Sequence, residues 1–121
     1  DQKAQTVLFA AITSVAGCKG LAPSASYSST KRFQWTYLQA LSQLARSERL
    51  DISFSDIRPG FVSTDFIHHD YPMQMRPDYV AEHIVRGLSR RRRVITIDWR
   101  YRILIFLWRL IPDCIWERIR V

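Results

Sequence analysis

Apolar runs of strand length alternate along the chain with longer segments whose apolar residues return at helical spacing. Thr6 to Thr13 is almost wholly apolar and runs out at Ser14 and Gly17. An unbroken run of that length predicts a strand buried on both faces, as in the middle of a parallel sheet. A polar loop with Gly20 and Pro23 follows. From about Ser26 to Ser47, Trp35, Leu38, Leu41, Leu44 and Ala45 recur at helical spacing, which predicts a long amphipathic helix. Ile52 to Arg58 predicts a second strand, stopped by Pro59-Gly60. Phe61 to Arg76 has no clear period and reads as a loop, alone or with a broken helix. Pro77 and Asp78 open a helix whose apolar face is Val80, Ala81, Ile84, Val85 and Leu88. Val94 to Ile97 predicts a third strand. An amphipathic helical segment begins at about Tyr101, and Pro112 starts a final turn and helix to Val121.

The order strand–helix–strand–helix–strand predicts an α/β fold with a doubly wound parallel sheet. Three strands are few for such a sheet, which usually has roughly four to six. No repeat, low-complexity segment or linker divides the 121 residues, so a single domain or part of one is expected.

Composition narrows the picture. Apolar residues make up 47% of the chain and aromatics 12%, which excludes a disordered segment. Cys18 and Cys114 are too few for a disulfide framework and favour a reducing, cytoplasmic setting. The first residues do not read as a signal peptide. The strongest apolar stretch, Ile103 to Ile111, is broken by Arg109 and falls far short of the roughly 20 residues of a membrane span. The net charge is +7, unevenly placed: residues 76–121 hold eleven Lys/Arg against five Asp/Glu, and residues 1–75 seven against six. Arg90 to Arg93 is the densest point. Such a patch attracts phosphates, nucleic acid or anionic lipid, or is simply a solvated face.

Ser14 to Lys31 carries the candidate chemistry. A Ser at a strand's end is followed thirteen positions on by Tyr27, and four further by Lys31. Tyr27 and Lys31, at i and i+4, share one face of a helix. A free phenol titrates near ~10 and is a poor base at neutral pH. An ammonium one helical turn away favours the phenolate. A Ser hydroxyl at the adjacent strand end can hydrogen-bond the substrate oxygen on which charge develops.

The segments TSVAG, YSSTK and IRPGFVST, together spanning residues 6 to about 98 with their flanking elements, resemble the short-chain dehydrogenase/reductase family of NAD(P)-dependent oxidoreductases. The resemblance implies that the chain is the C-terminal part of a Rossmann-like domain. It implies a hydride transfer between a nicotinamide cofactor, NAD or NADP, and a small-molecule carbonyl or alcohol substrate. Tyr27 is then the general acid/base. Lys31 favours the Tyr27 phenolate and hydrogen-bonds the nicotinamide ribose. Ser14 orients the substrate oxygen. Pro59 and Gly60 shape the turn beside the nicotinamide, and the Val62 backbone and Thr64 side chain hold its carboxamide. Residues 65 to about 76 match the family's variable substrate loop.

The departures are as informative. No glycine-rich phosphate-binding turn occurs among the four glycines. The residue that selects NAD or NADP and the Asn of the family's proton relay are also absent. All belong to the half of the fold expected before residue 1, so the 121 residues by themselves are expected to be incomplete or inactive. The Thr6 to Thr13 strand would then present an unpaired apolar edge, which invites a second copy. A homo-oligomer is therefore expected.

Other readings stand beside these. Tyr27 and Lys31 also fit a helix-face tyrosine with a snorkelling lysine. His68 and His69 lack further ligands at metal spacing, so no metal is expected. Cys18 lacks a partnered base and reads as structural. The basic amphipathic end at about 99–121 combines Trp99, Trp108 and Trp116 with aliphatic residues and arginines. It suits packing or subunit contact, or peripheral contact with a membrane surface; no nucleic-acid reading motif accompanies the charge, and no nucleic-acid partner is expected. Its apolar character points to a hydrophobic substrate. The competing function is a non-catalytic interaction or membrane-surface module that retains the fold.

Overall fold

The structure, a computed structural model, describes residues 7–60 and 75–119. One sheet of three parallel strands has the order β1 (Val7–Ile12), β2 (Ile52–Pro59), β3 (Val94–Ile97). The helices are α1 (Ala25–Ser47), α2 (Pro77–Ser89), α3 (Trp99–Leu110) and the short α4 (Asp113–Trp116). The class is α/β, consistent with a partial Rossmann-like fold. Parallel neighbours require long crossovers, and α1 and α2 supply them.

The two-residue period of β2 and β3 decides which helix meets which face. Asp56 and Arg58 of β2 point toward α1, where the Arg58 guanidinium stacks 3.5 Å from the Trp35 ring centroid. The other face carries Ile57 and its register partner Ile95. Ile95 packs on Gly87 of α2 so closely that a Cβ there would stand 2.7 Å from its Cδ1. α3 returns to the α1 side, where Arg58, Thr96 and Ile105 line one groove. Val15, Cys18, Trp35, Tyr101 and Ile105 join Ile57, Ile95 and Ile97 in one buried core.

β1 departs from the expectation of a strand buried on both faces. It pairs with β2 and stands at the sheet edge, with Val7, Leu8, Phe9 and Ile12 exposed. An apolar run reports that a strand can be buried; whether it is depends on neighbours. Among the described residues, β2 is the only strand beside it. Within α1, Trp35, Leu38 and Ala45 are buried as expected, whereas Leu44 is exposed. Val85 of α2 is exposed too, while Ile84 and Leu88 pack on the core. α3 starts at Trp99, two residues before the expected point, because the Asp98 carboxylate caps it by accepting from the Arg100 N–H at 3.1 Å. The loop expected at 61–76 falls almost wholly outside the described residues.

Candidate active site

Ser14 lies two residues past β1 and is buried. Its extended backbone ends the strand, and its Oγ accepts from the Ala16 N–H at 3.1 Å to cap a 3-10 turn at Val15–Cys18. That leaves the hydroxyl's own hydrogen available as a donor. The turn rests directly on α1. A Cβ at Gly17 would stand 3.0 Å from the Arg32 N, the Lys31 carbonyl carbon and the Trp35 ring, so the glycine lets the turn and the helix approach closely.

Trp35 locks the junction. Its indole N–H donates to the Thr13 hydroxyl at 3.1 Å and to the Ser14 carbonyl at 3.0 Å. Tyr27, Lys31 and Trp35 occupy i, i+4 and i+8 and so form one stripe of α1. The tryptophan that holds the Ser14 backbone therefore stands in line with the Tyr27–Lys31 pair. Lys31 Nζ lies 5.3 Å from the Tyr27 ring centroid, a cation–π contact that keeps the ammonium beside the phenol. Tyr27 is 49% exposed among the described residues, so part of its side chain faces solvent. The loop between Ser14 and Tyr27 is tied to the helix by buried Ser28, whose Oγ accepts from the Leu21 N–H at 3.2 Å and donates to the Ala25 carbonyl.

Pro59 closes β2 in register with Ile97, and the Gly60 N–H donates to the Ile97 carbonyl at 3.1 Å. A Cβ on Gly60 would lie 2.1–2.4 Å from ring carbons of Tyr101, which is itself only 1% exposed. The fold thus demands glycine here for a packing reason of its own. Val62 and Thr64, expected at the nicotinamide carboxamide, lie outside the described residues, as do His68 and His69. Among the described residues, no cluster of three His, Cys, Asp or Glu side chains is placed to hold a metal.

Beneath the site lies a buried polar network that the pattern of residues did not reveal. The Thr13 hydroxyl donates to the Asp56 carboxylate at 2.6 Å, and Arg58 pairs with the other oxygen of Asp56 at 2.9 Å through both Nε and Nη2. Asp56 is completely buried. Burial pushes the Arg58 guanidinium down, while Asp56 pulls it back up. The available signal was an acid and a base two residues apart on the face of β2 that otherwise carries Ile52 and Phe54. Cys18 is buried as well; burial raises its thiol against the lowering influence of Arg109, Arg32 and Lys19. That fits the structural reading of Cys18.

The C-terminal end packs against the loop that follows Ser14. Lys19 Nζ donates to the Ile111 carbonyl at 2.9 Å and pairs with Asp113 at 3.2 Å. The Trp116 indole donates to the Gly20 carbonyl at 2.7 Å. A groove of about 390 Å³ opens there between Cys18, Lys19, Ser28, Arg32 and Asp113.

Gly17 and Gly60 are occupied by packing against α1 and Tyr101, so neither forms part of a pyrophosphate cradle.

No family model matches the chain. An "Uncharacterized oxidoreductase" of Myxococcus xanthus (strain DK1622) is 25% identical over 114 residues, covering 88% of this chain and 42% of that protein. The chain therefore spans about two fifths of the length of the curated relative it matches. The likeness supports a redox role in general terms and does not extend to cofactor or substrate.

Proposed function

We propose that the protein is an NAD(P)-dependent oxidoreductase of the short-chain dehydrogenase/reductase type, acting on a small, hydrophobic carbonyl or alcohol. The observation that carries the reading is the Tyr27–Lys31 pair, with Lys31 Nζ 5.3 Å from the phenol ring, on the same helical stripe whose Trp35 holds the Ser14 backbone. Tyr27 gives its proton to a carbonyl oxygen in reduction and takes one from an alcohol in oxidation. Lys31 stabilises the phenolate that reduction leaves behind. Ser14 donates its free hydroxyl hydrogen to the same substrate oxygen. Lys31, Tyr27, Pro59 and Gly60, with Val62 and Thr64, would hold the nicotinamide end of NAD or NADP. That group, when bound, supplies or accepts the hydride. The pyrophosphate end needs a cradle beyond these residues, so the whole protein's activity belongs to a longer chain or an assembly. The exposed apolar edge of β1 supports self-association.

Fluorescence titration of the intact protein with NADH and NADPH, followed by carbonyl turnover, tests the reading. Tyr27→Phe is expected to lower turnover by at least about 100-fold. Undiminished turnover in that variant, or no binding of either nucleotide, would overturn it. The second reading, a non-catalytic interaction module, is favoured by the exposed apolar side of α3; under it Tyr27→Phe changes no function.

A further inference from the structure

α3 is apolar on two sides. Its core side uses Tyr101 and Ile105, which are buried, with Leu104 and Trp108 packed beside them. Its outer side carries Trp99, Ile103, Phe106 and Leu110, exposed by 64%, 51%, 62% and 65%. Those four recur at i, i+4, i+7 and i+11 and so form one stripe about 16 Å long. Single exposed apolar residues are ordinary on a protein surface, whereas a continuous stripe of large ones marks a contact surface.

Arginines line one flank of that stripe. A groove of about 440 Å³ is walled by Arg58, Arg93, Arg102 and Arg109 together with Phe106. A second groove, about 410 Å³, is walled by Trp99, Arg102, Ile103 and Phe106. The two share Arg102 and Phe106, so a basic trough and an apolar trough adjoin along one helix. Asp56 pairs with Arg58. Among the described residues, no carboxylate stands within ion-pair distance of Arg93, Arg102 or Arg109. Arg93 also keeps a buried Nη1 with no hydrogen-bond partner.

We infer that this face docks on an anionic phospholipid surface, with headgroup phosphates against the arginine trough and Phe106 and Leu110 entering the acyl boundary. A single layer of apolar residues beside cations is the pattern of a helix that lies in the interface plane. No helix among the described residues is long and apolar enough to cross a membrane. A second copy is disfavoured, because the two grooves present arginines and apolar side chains but no carboxylate to pair with a partner's arginines. Nucleic acid would use the arginines and leave the apolar stripe in water. The surface lies at the β3 side of the sheet, away from the β1 edge, so it stays open whatever covers that edge.

Flotation of the intact protein with vesicles tests the inference without any cofactor or turnover, so its failure leaves the redox reading untouched. Binding is expected to phosphatidylcholine vesicles carrying about one third phosphatidylglycerol and to fall steeply with salt. Replacing Arg102 and Arg109 together by Gln should weaken binding about 25-fold, near fivefold for each cation. Phe106→Ser and Leu110→Ser should each weaken it at least about tenfold. These four side chains are exposed, so far-UV circular dichroism and Tm should not move; if a serine variant unfolds, the glutamine pair decides. Absence of binding, equal binding to pure phosphatidylcholine, or a dimer that dissolves with the same substitutions overturns the inference.

Discussion

The Arg58 guanidinium lies 3.5 Å from the Trp35 ring centroid, and the N–H of the same indole donates to Thr13 and to the Ser14 carbonyl. One tryptophan thus joins the strand end that carries Ser14 to the ion pair of β2. Trp35→Phe keeps an aromatic surface for Arg58 and removes the donor. It should destabilise the protein by about 1–3 kcal/mol, because two buried acceptors lose a partner. Urea denaturation measures this. If the redox reading holds, turnover should fall further than the loss of folded protein explains, since Ser14 is no longer held.

Arg58→Met tests the ion pair itself. Asp56 is fully buried and, among the described residues, would keep only the Thr13 hydroxyl. Breaking a buried pair by removing one partner costs about 3–5 kcal/mol. Replacing Asp56 by Asn in the Arg58→Met background should recover part of that loss, because the uncompensated charge disappears. A double-mutant cycle in urea gives the coupling directly.

Gly60→Ala should be destabilising for a reason unconnected with any cofactor. Its new methyl would overlap the Tyr101 ring. Overpacking of this kind costs about 1–3 kcal/mol, or more where backbone must move. The expected outcome is a lower Tm without ligand, with partial recovery when Tyr101→Leu is added.

The two cysteines should differ sharply toward a thiol reagent. Cys114 is exposed and Cys18 is buried with its thiol raised by burial. Iodoacetamide at pH 8 is expected to modify Cys114 rapidly and Cys18 only after unfolding. Equal rates in the native protein would contradict the packing of the 3-10 turn against α1 and α3.

Asp98 sets an acid limit on stability. Burial works against its charge, but hydrogen bonds from Arg100 and Tyr79 outweigh that and hold its carboxyl below the ordinary carboxylate range. A group with a depressed folded pKa contributes stability above its unfolded value and loses it as pH falls through the folded one. Asp98→Asn should therefore lower Tm at pH 7, and its difference from the parent should shrink below about pH 4.

The sequence by itself determined the order of elements, the α/β class and the Tyr27–Lys31 pairing, because each depends on local periodicity and on spacing within one helix. β3 was legible to its end residues, and α1 to within one. Only the tertiary structure decided the rest. Thr13 meets Asp56 across 43 positions, and Lys19 meets Asp113 across 94; no local pattern encodes such partners. Gly60 could be read as a turn residue, yet the ring that requires it comes from α3. An apolar run showed that β1 could be buried on both faces, and the amphipathic pattern of the C-terminal end showed that α3 has apolar residues to bury. Which sides are buried depends on the neighbours the chain supplies, and these leave the β1 edge and the outer stripe of α3 facing solvent.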